Sequence, residues 1–238
     1  MMLALGFLST REAQAADPPS GWVKRVAETE AASNEARGHY TYRQTVTIEE
    51  LDDHGGRTGE YREVRDIIFS PTGERTEKFI GTPTSNLKRL ILTDEDFQDI
   101  RQIQPVLFIP ELVWNYEAKY RGEENVEGTD CWVLGVRPKQ ILDGQRFFDG
   151  MFWVDQRDCS VIRNEGQAVP QRFSSRPGKE NLFPHFTTIR GKVGEHWFPL
   201  HTHADDVLPF RTGPIRLRMT IRYLNYKKFS TDSTITPR

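Results

Sequence analysis

The chain has 238 residues, of which 37% are hydrophobic, 11% aromatic and 28% charged, enough apolar material for one large domain or two small ones. A mean hydropathy of −0.62, with no run near the ~18 apolar residues that a spanning helix needs, excludes a helical membrane protein. The 14 Phe, 7 Tyr and 5 Trp exclude a solvated, disordered chain, and the net charge of −2 supplies no global field toward nucleic acid.

The first fifteen residues read as a signal peptide. Met1 to Leu8 is a short apolar run, and Ala13-Gln14-Ala15 supplies the small-x-small pattern of a cleavage site. No Lys or Arg precedes the run, which is what a peptide truncated at its start would look like. The expectation is an exported, soluble, periplasmic protein occupying residues 16–238 as a single domain.

One amphipathic helix follows, started by Asp17-Pro18-Pro19-Ser20, with Trp22, Val23, Val26, Ala27 and Ala31 at helical spacing. From His39 the period becomes two. Tyr40, Tyr42, Val46 and Ile48 share one parity, and Thr41, Arg43, Thr45, Thr47 and Glu49 the other, as in a half-buried strand. Asp52 to Gly56 turns into a second strand over Tyr61 to Phe69, and Ser70 to Gly73 into a third around Thr76 to Ile80.

Thr93-Asp94-Glu95-Asp96 marks a second helix start, with acids suited to the positive end of the helix dipole. Phe97, Ile100 and Ile103 follow, then Val106, Leu107, Phe108 and Ile109 between Pro105 and Pro110, which forbid a continuous helix. Phe97, Ile100 and Val106 to Ile109 are therefore the candidate lid, with simple cover for one end of a sheet as the plainer account. Seven further strands are expected: Tyr116 to Arg121, Cys131 to Arg137, Phe147 to Val154, Ser160 to Gln167, Phe183 to Arg190, His196 to Ala204 and Ile215 to Lys227. About ten strands at short intervals with two helices predict an α+β, mainly antiparallel fold, its sheet curled around the helices.

The chemistry-bearing residues are few. Cys131 and Cys159 are the two cysteines and, in an exported chain, are expected to be bonded to each other; two reduced, buried thiols acting as small apolar residues are the alternative. His201 and His203 share a strand face and raise the possibility of a metal-dependent hydrolase; a wet strand face is the commoner account. No nucleophile elbow, phosphate loop or Cys-x-x-Cys pair occurs, so neither an enzyme nor a cofactor is expected. The last thirty-one residues carry seven basic side chains against the single acid Asp232. Alternation aims Arg216, Arg218 and Arg222 away from the core, as a solvated face or as a dock for anionic headgroups or an acidic partner.

Gly128 to Lys139, Met151 to Asp155 with Val161 to Gly166, and Ile221 to Phe229 together resemble the LolA-like, outer membrane lipoprotein-sorting superfamily, which also includes RseB-type sensors. The resemblance implies an unclosed half β-barrel whose concave face is covered by helices, and an acyl-chain or lipoprotein ligand between them. It makes Arg43 the candidate for the family's lid-closing arginine. An apolar cavity would then be lined by Tyr40, Tyr42, Val46, Ile48, Trp132, Leu134, Val136, Leu217, Met219, Ile221 and Tyr223. Close packing of the same side chains into a core is the alternative. The function expected is a non-catalytic carrier or sensor of an acylated ligand; the alternatives are an RseB-like module binding a periplasmic protein and the hydrolase around His201 and His203.

Overall fold

Strict alternation over long stretches gives the chain strands that bury one face, and a surface that buries only one face needs a cover. In the computed structural model, which describes residues 18–70, 74–102, 108–142, 145–173 and 180–229, both conditions are met. The segment read from sequence as a signal peptide lies outside the described residues. Helix α1 (Trp22–Arg37) leads into β1 (Tyr40–Leu51), β2 (Arg57–Phe69), β3 (Arg75–Phe79) and the two-residue β4 (Thr84–Ser85). Helix α2 (Asp94–Gln102) and a 3₁₀ turn at Val113–Asn115 come next. The remaining strands are β5 (Tyr116–Val126), β6 (Thr129–Pro138), β7 (Phe147–Asp155), β8 (Val161–Val169), β9 (Phe186–Val193), β10 (His196–Leu208) and β11 (Ile215–Lys228).

All the strand pairs are antiparallel and belong to one sheet of order β3-β2-β1-β11-β10-β9-β8-β7-β6-β5, with β4 beside β2. After β4 the chain crosses to the far edge and returns strand by strand as a meander. The return ends when β11 pairs with β1 from Tyr40↔Lys228 to Leu51↔Arg216. Among the described residues β3 and β5 each pair on one side only, so the sheet is an open half-barrel. Both helices lie on its inner face. Among the described residues no helix is long and apolar enough to cross a membrane.

Inner-face residues build the main core. Val46, Leu134, Phe152, Val154, Val161 and Ile221 are fully buried there, together with Val26 and Ala27 of α1. Burying a side chain of this kind contributes about 1.5–3 kcal/mol. The helix stripe departs from the expected one at its C-terminal half, where Glu30 and Ser33 are buried and Ala31 is only half-buried. β7 and β8 meet at a pair of glycines. Gly150 faces Gly166 across the pair, and a Cβ on either would lie 2.8 Å from the Phe148 ring and closer still to opposing backbone. Only hydrogen fits at both places.

The expected disulfide is not made. Cys131 and Cys159 are free and buried, because they serve different faces. Cys131 joins Val133, Trp153 and Ile162 in a small outer cluster, whereas Cys159 belongs to the inner core. Burial pushes the Cys131 thiol up to about 12, with Asp155 adding to the shift, which leaves it an inert apolar group.

Candidate functional site

The candidate site is the inner face, and its two ends are covered differently. At one end Trp22 of α1 packs edge-on against Trp132 (5.5 Å between ring centroids) and Tyr120 (6.2 Å). Glu30 receives two hydrogen bonds from Arg190 of β9, at 2.6 and 2.9 Å, with both side chains buried. At the other end lies α2, started by a reciprocal cap: the Thr93 amide donates to Asp96 Oδ2 (2.7 Å) and the Asp96 amide to Thr93 Oγ1 (3.3 Å). Its apolar contribution is small, Ile100 and the half-buried Phe97, whose ring meets Tyr61 at 5.5 Å.

Polar contacts hold α2 instead. Arg146 donates to Asp99 from Nε (3.2 Å) and Nη2 (2.7 Å), to the Asn181 carbonyl (3.4 Å) and to the Pro170 carbonyl. The Asn181 amide donates to Asp96 Oδ1 at 3.0 Å. Burial pushes both the Asp96 and the Asp99 carboxyls above the usual carboxylate range, against the hydrogen bonds they accept. The strap before α2 is registered by one carboxylate: Glu50 Oε2 accepts from the amides of Lys88 (3.0 Å), Arg89 (2.9 Å) and Leu90 (3.2 Å). Burial opposes ionisation of Glu50, but these backbone N–H groups hold its carboxyl below the ordinary value.

All eleven residues expected to line a cavity are buried. Ten belong to the main core, and Tyr40 packs beside it on Phe198, 5.0 Å between centroids. A cavity of about 30 Å³ lies under α2 among Ile48, Leu90, Ile100, Leu182, Leu217 and Met219, room for about one water. A wider groove of about 600 Å³ runs between α1 and the β7–β8 and β9–β10 turns, past Arg25, Glu28, Asp158 and Glu195; its charged lining does not suit an acyl chain.

The candidate lid divides. Ile100 and Phe97 ride on α2, and Ile109 is half-buried beside the 3₁₀ turn. Phe108 is fully buried, its ring 5.1 Å from Tyr116 and 5.3 Å from Phe152, so it is core. Val106 and Leu107 lie outside the described residues.

Arg43 is not a lid arginine. It shares the outer parity of β1 and makes a two-point pair with Asp66 of β2 at 2.8 and 3.0 Å. Two arginines hold the helices, Arg190 of β9 on α1 and Arg146 on α2, and sequence reasoning missed both; for Arg190, an Arg two residues after Thr188 on a strand whose neighbouring inner positions are uncharged is the available signal. On the outer face Arg216 and Arg218 both pair with Asp205, and Arg218 also reaches Glu49 at 3.7 Å, while Arg222 is exposed. His201 and His203 stack on the same face, 6.1 Å between rings. Burial, with His203 and Arg222, lowers the His201 pKa, and among the described residues no group of three His, Cys, Asp or Glu could hold a metal.

Sequence reasoning also missed a polar row on the inner face. Asn164 of β8 stands opposite Thr188 of β9, and Thr188 opposite Thr202 of β10, their hydroxyls 2.8 Å apart. Tyr223 of β11 and its β1 partner Gln44 continue the row. All five are buried, and burial pushes the Tyr223 hydroxyl up to about 12, with Thr202 and Gln44 hydrogen bonds working against the shift.

The chain matches no protein-family model and no curated protein. Among solved structures it is similar to a DUF1329 family protein from Desulfovibrio piger, with 14% identity, a TM-score of 0.40 and coverage of 90% of this chain and 95% of that one. It is similar to an outer membrane lipoprotein-sorting protein domain from Vibrio parahaemolyticus, with 10% identity, a TM-score of 0.38 and coverage of 89% and 92%. A LolA superfamily protein from Nitrosomonas europaea gives 12% identity, a TM-score of 0.36 and coverage of 88% and 97%. The likeness is one of fold alone.

Proposed function

We propose that this chain, as a single domain over residues 16–238 behind a signal peptide, is an exported, non-catalytic carrier or sensor of an acylated ligand, a lipid or a lipoprotein, in the periplasm. The observation that carries the reading is the unequal cover of the inner face. An apolar floor is closed at one end by a packed helix and at the other by a helix held through hydrogen bonds. Water competes for hydrogen bonds and not for apolar contacts, so α2 is the cheaper cover to lift. Lifting it uncovers Ile48, Leu217 and Met219, and an acyl chain binds there by the area it removes from water, at about 25 cal/mol per Å².

The close burial of the floor residues favours one second reading, a regulatory module that docks a periplasmic protein against the same face. Native mass spectrometry of protein taken gently from the periplasm separates the two. Adducts with lipid masses, displaced by a fluorescent fatty-acid probe, are expected. A bare polypeptide mass, together with no saturable probe binding, would remove the carrier reading and leave the interaction module.

A further inference from the structure

The two ends of the half-barrel carry different surfaces. Among the described residues, the turns at the α1 end expose Glu127, Arg157, Asp158 and Glu195 and no large apolar side chain. At the α2 end stand Ile91 (62% exposed), Trp114 (55%), Ile141 (46%) and Phe173 (65%), on the strap, the 3₁₀ turn, the β6–β7 loop and the β8–β9 loop. Leu90 and Leu92 line the cavity under α2, so Ile91 between them faces out. The segments of Trp114 and Ile141 adjoin: Asn115 Nδ2 donates to the Gln140 carbonyl at 2.8 Å, and the Lys139 amide to the Asn115 carbonyl at 2.7 Å. Trp114 is the exposed one of five tryptophans, since Trp22, Trp132 and Trp153 are buried and Trp197 is half-buried. Exposed apolar side chains gathered in one place mark an interaction surface.

We propose that this rim docks on a lipid surface, with Trp114 and Ile141 entering the boundary between headgroups and acyl chains. Trp114 leaves water without stranding its polar atom, because its indole N–H already donates to the Glu111 carbonyl at 2.7 Å. Lys139 Nζ donates to the Trp114 carbonyl at 2.7 Å. A cation therefore sits at the base of the ring, at the depth of lipid phosphates when the ring is inserted. The other tips have similar company: exposed Lys88 and Arg89 precede Ile91, and exposed Arg172 precedes Phe173. Exposed acids share the rim, Glu111 beside the 3₁₀ turn and Asp94 and Glu95 on α2, so apolar insertion carries the binding and the cations add to it. A folded protein partner is met through one contiguous, shape-complementary patch, whereas apolar tips on four separate segments suit a fluid surface. The dock extends the carrier reading above: α2, the cheaper cover to lift, lies at this end, so an acyl chain leaving the floor passes into lipid without crossing water.

The test is flotation of the full-length exported protein with phosphatidylcholine vesicles, with and without phosphatidylglycerol, read together with tryptophan emission. Binding to both is expected, stronger with the anionic lipid and retained in part at high salt, with blue-shifted emission that bromolipid quenches. Trp114→Ala should lower the partition coefficient ~10-fold, a difference of about 1.4 kcal/mol, and remove the bromolipid quenching. Ile141→Glu gives an independent loss if the first variant does not fold. Leu224→Ser, which trims a side chain 47% exposed on the outer face, should leave binding unchanged. Absence of vesicle binding would overturn the lipid dock and leave the rim as a contact for a protein. Binding that survives both rim substitutions, or that high salt abolishes, would overturn it by assigning the attraction to charge alone. Vesicle binding without lipid masses in the native spectrum would sink the carrier reading and keep the dock; lipid masses without vesicle binding would do the reverse.

Discussion

The two helices on the inner face differ in what holds them. Helix α1 is fastened by apolar contact, with Trp22, Val26 and Ala27 buried, and by a buried ion pair that only α1 and β9 share. Helix α2 begins with three acids, Asp94, Glu95 and Asp96, buries little, and depends on Arg146 and Asn181 reaching it from other segments. The contrast teaches which end of a half-barrel can move. Packed apolar surface comes apart all at once, whereas a hydrogen-bonded latch exchanges its partners for water.

The largest effect expected on this contrast comes from Glu30→Ala. It strands the Arg190 guanidinium in the core and should cost about 3–5 kcal/mol in chemical denaturation, since breaking a buried pair leaves an uncompensated charge. A loss below about 1 kcal/mol, the range of an exposed pair, would mean that α1 is no firmer than α2. Arg146→Met should cost about 1–3 kcal/mol, confined to one end: hydrogen exchange in residues 94–102 should accelerate while α1 amides keep their protection. Uniform acceleration in both helices would erase the distinction.

Acid titration sharpens it within one sample. Asp96 and Asp99 stand above the ordinary carboxyl value of 3.8, so the folded state takes up protons before the unfolded one. Docking of α2 strengthens as pH falls through the raised values and weakens as pH rises through them. Glu50 runs the other way. Its carboxyl is held below 4.5, so its contribution is complete above that value and is lost as pH falls through the depressed one. Exchange corrected for intrinsic rate should slow in α2 on mild acidification, and at lower pH quicken at Lys88 to Leu90. The smallest effect belongs to the outer face, where Arg216→Gln and Arg218→Gln should each change stability by about 0–1 kcal/mol, as exposed pairs do. A larger shift in melting temperature would show that the Asp205 cluster braces the sheet.

Much of this architecture is legible in the chain. Tyr40 to Ile48 and Ile215 to Tyr223 alternate so regularly that both strands and their buried parities can be read directly, and the Thr93–Asp96 cap marks the start of α2. Register across strands is not legible, because it depends on partners far away in sequence. Cys131 and Cys159 look bondable as a pair, yet the sheet puts their side chains in separate clusters. Asn164, Thr188 and Thr202 each read as an isolated polar interruption, and only pairing of β8 to β9 and β9 to β10 brings them into one row. Arg43 lies on the polar parity of its own strand, so alternation alone argues against an inward role, and its pairing with Asp66 agrees.

The glycine pair on β7 and β8 bears on how closely the two strands can run. Where Gly150 faces Gly166, two strands approach without side chains between wall and interior, and the Phe148 ring lies over the gap. The separation of the two strands is therefore set by backbone at that place and by side-chain volume elsewhere. A methyl group on either glycine would run into the opposing backbone and the Phe148 ring, so β7 and β8 would have to move apart.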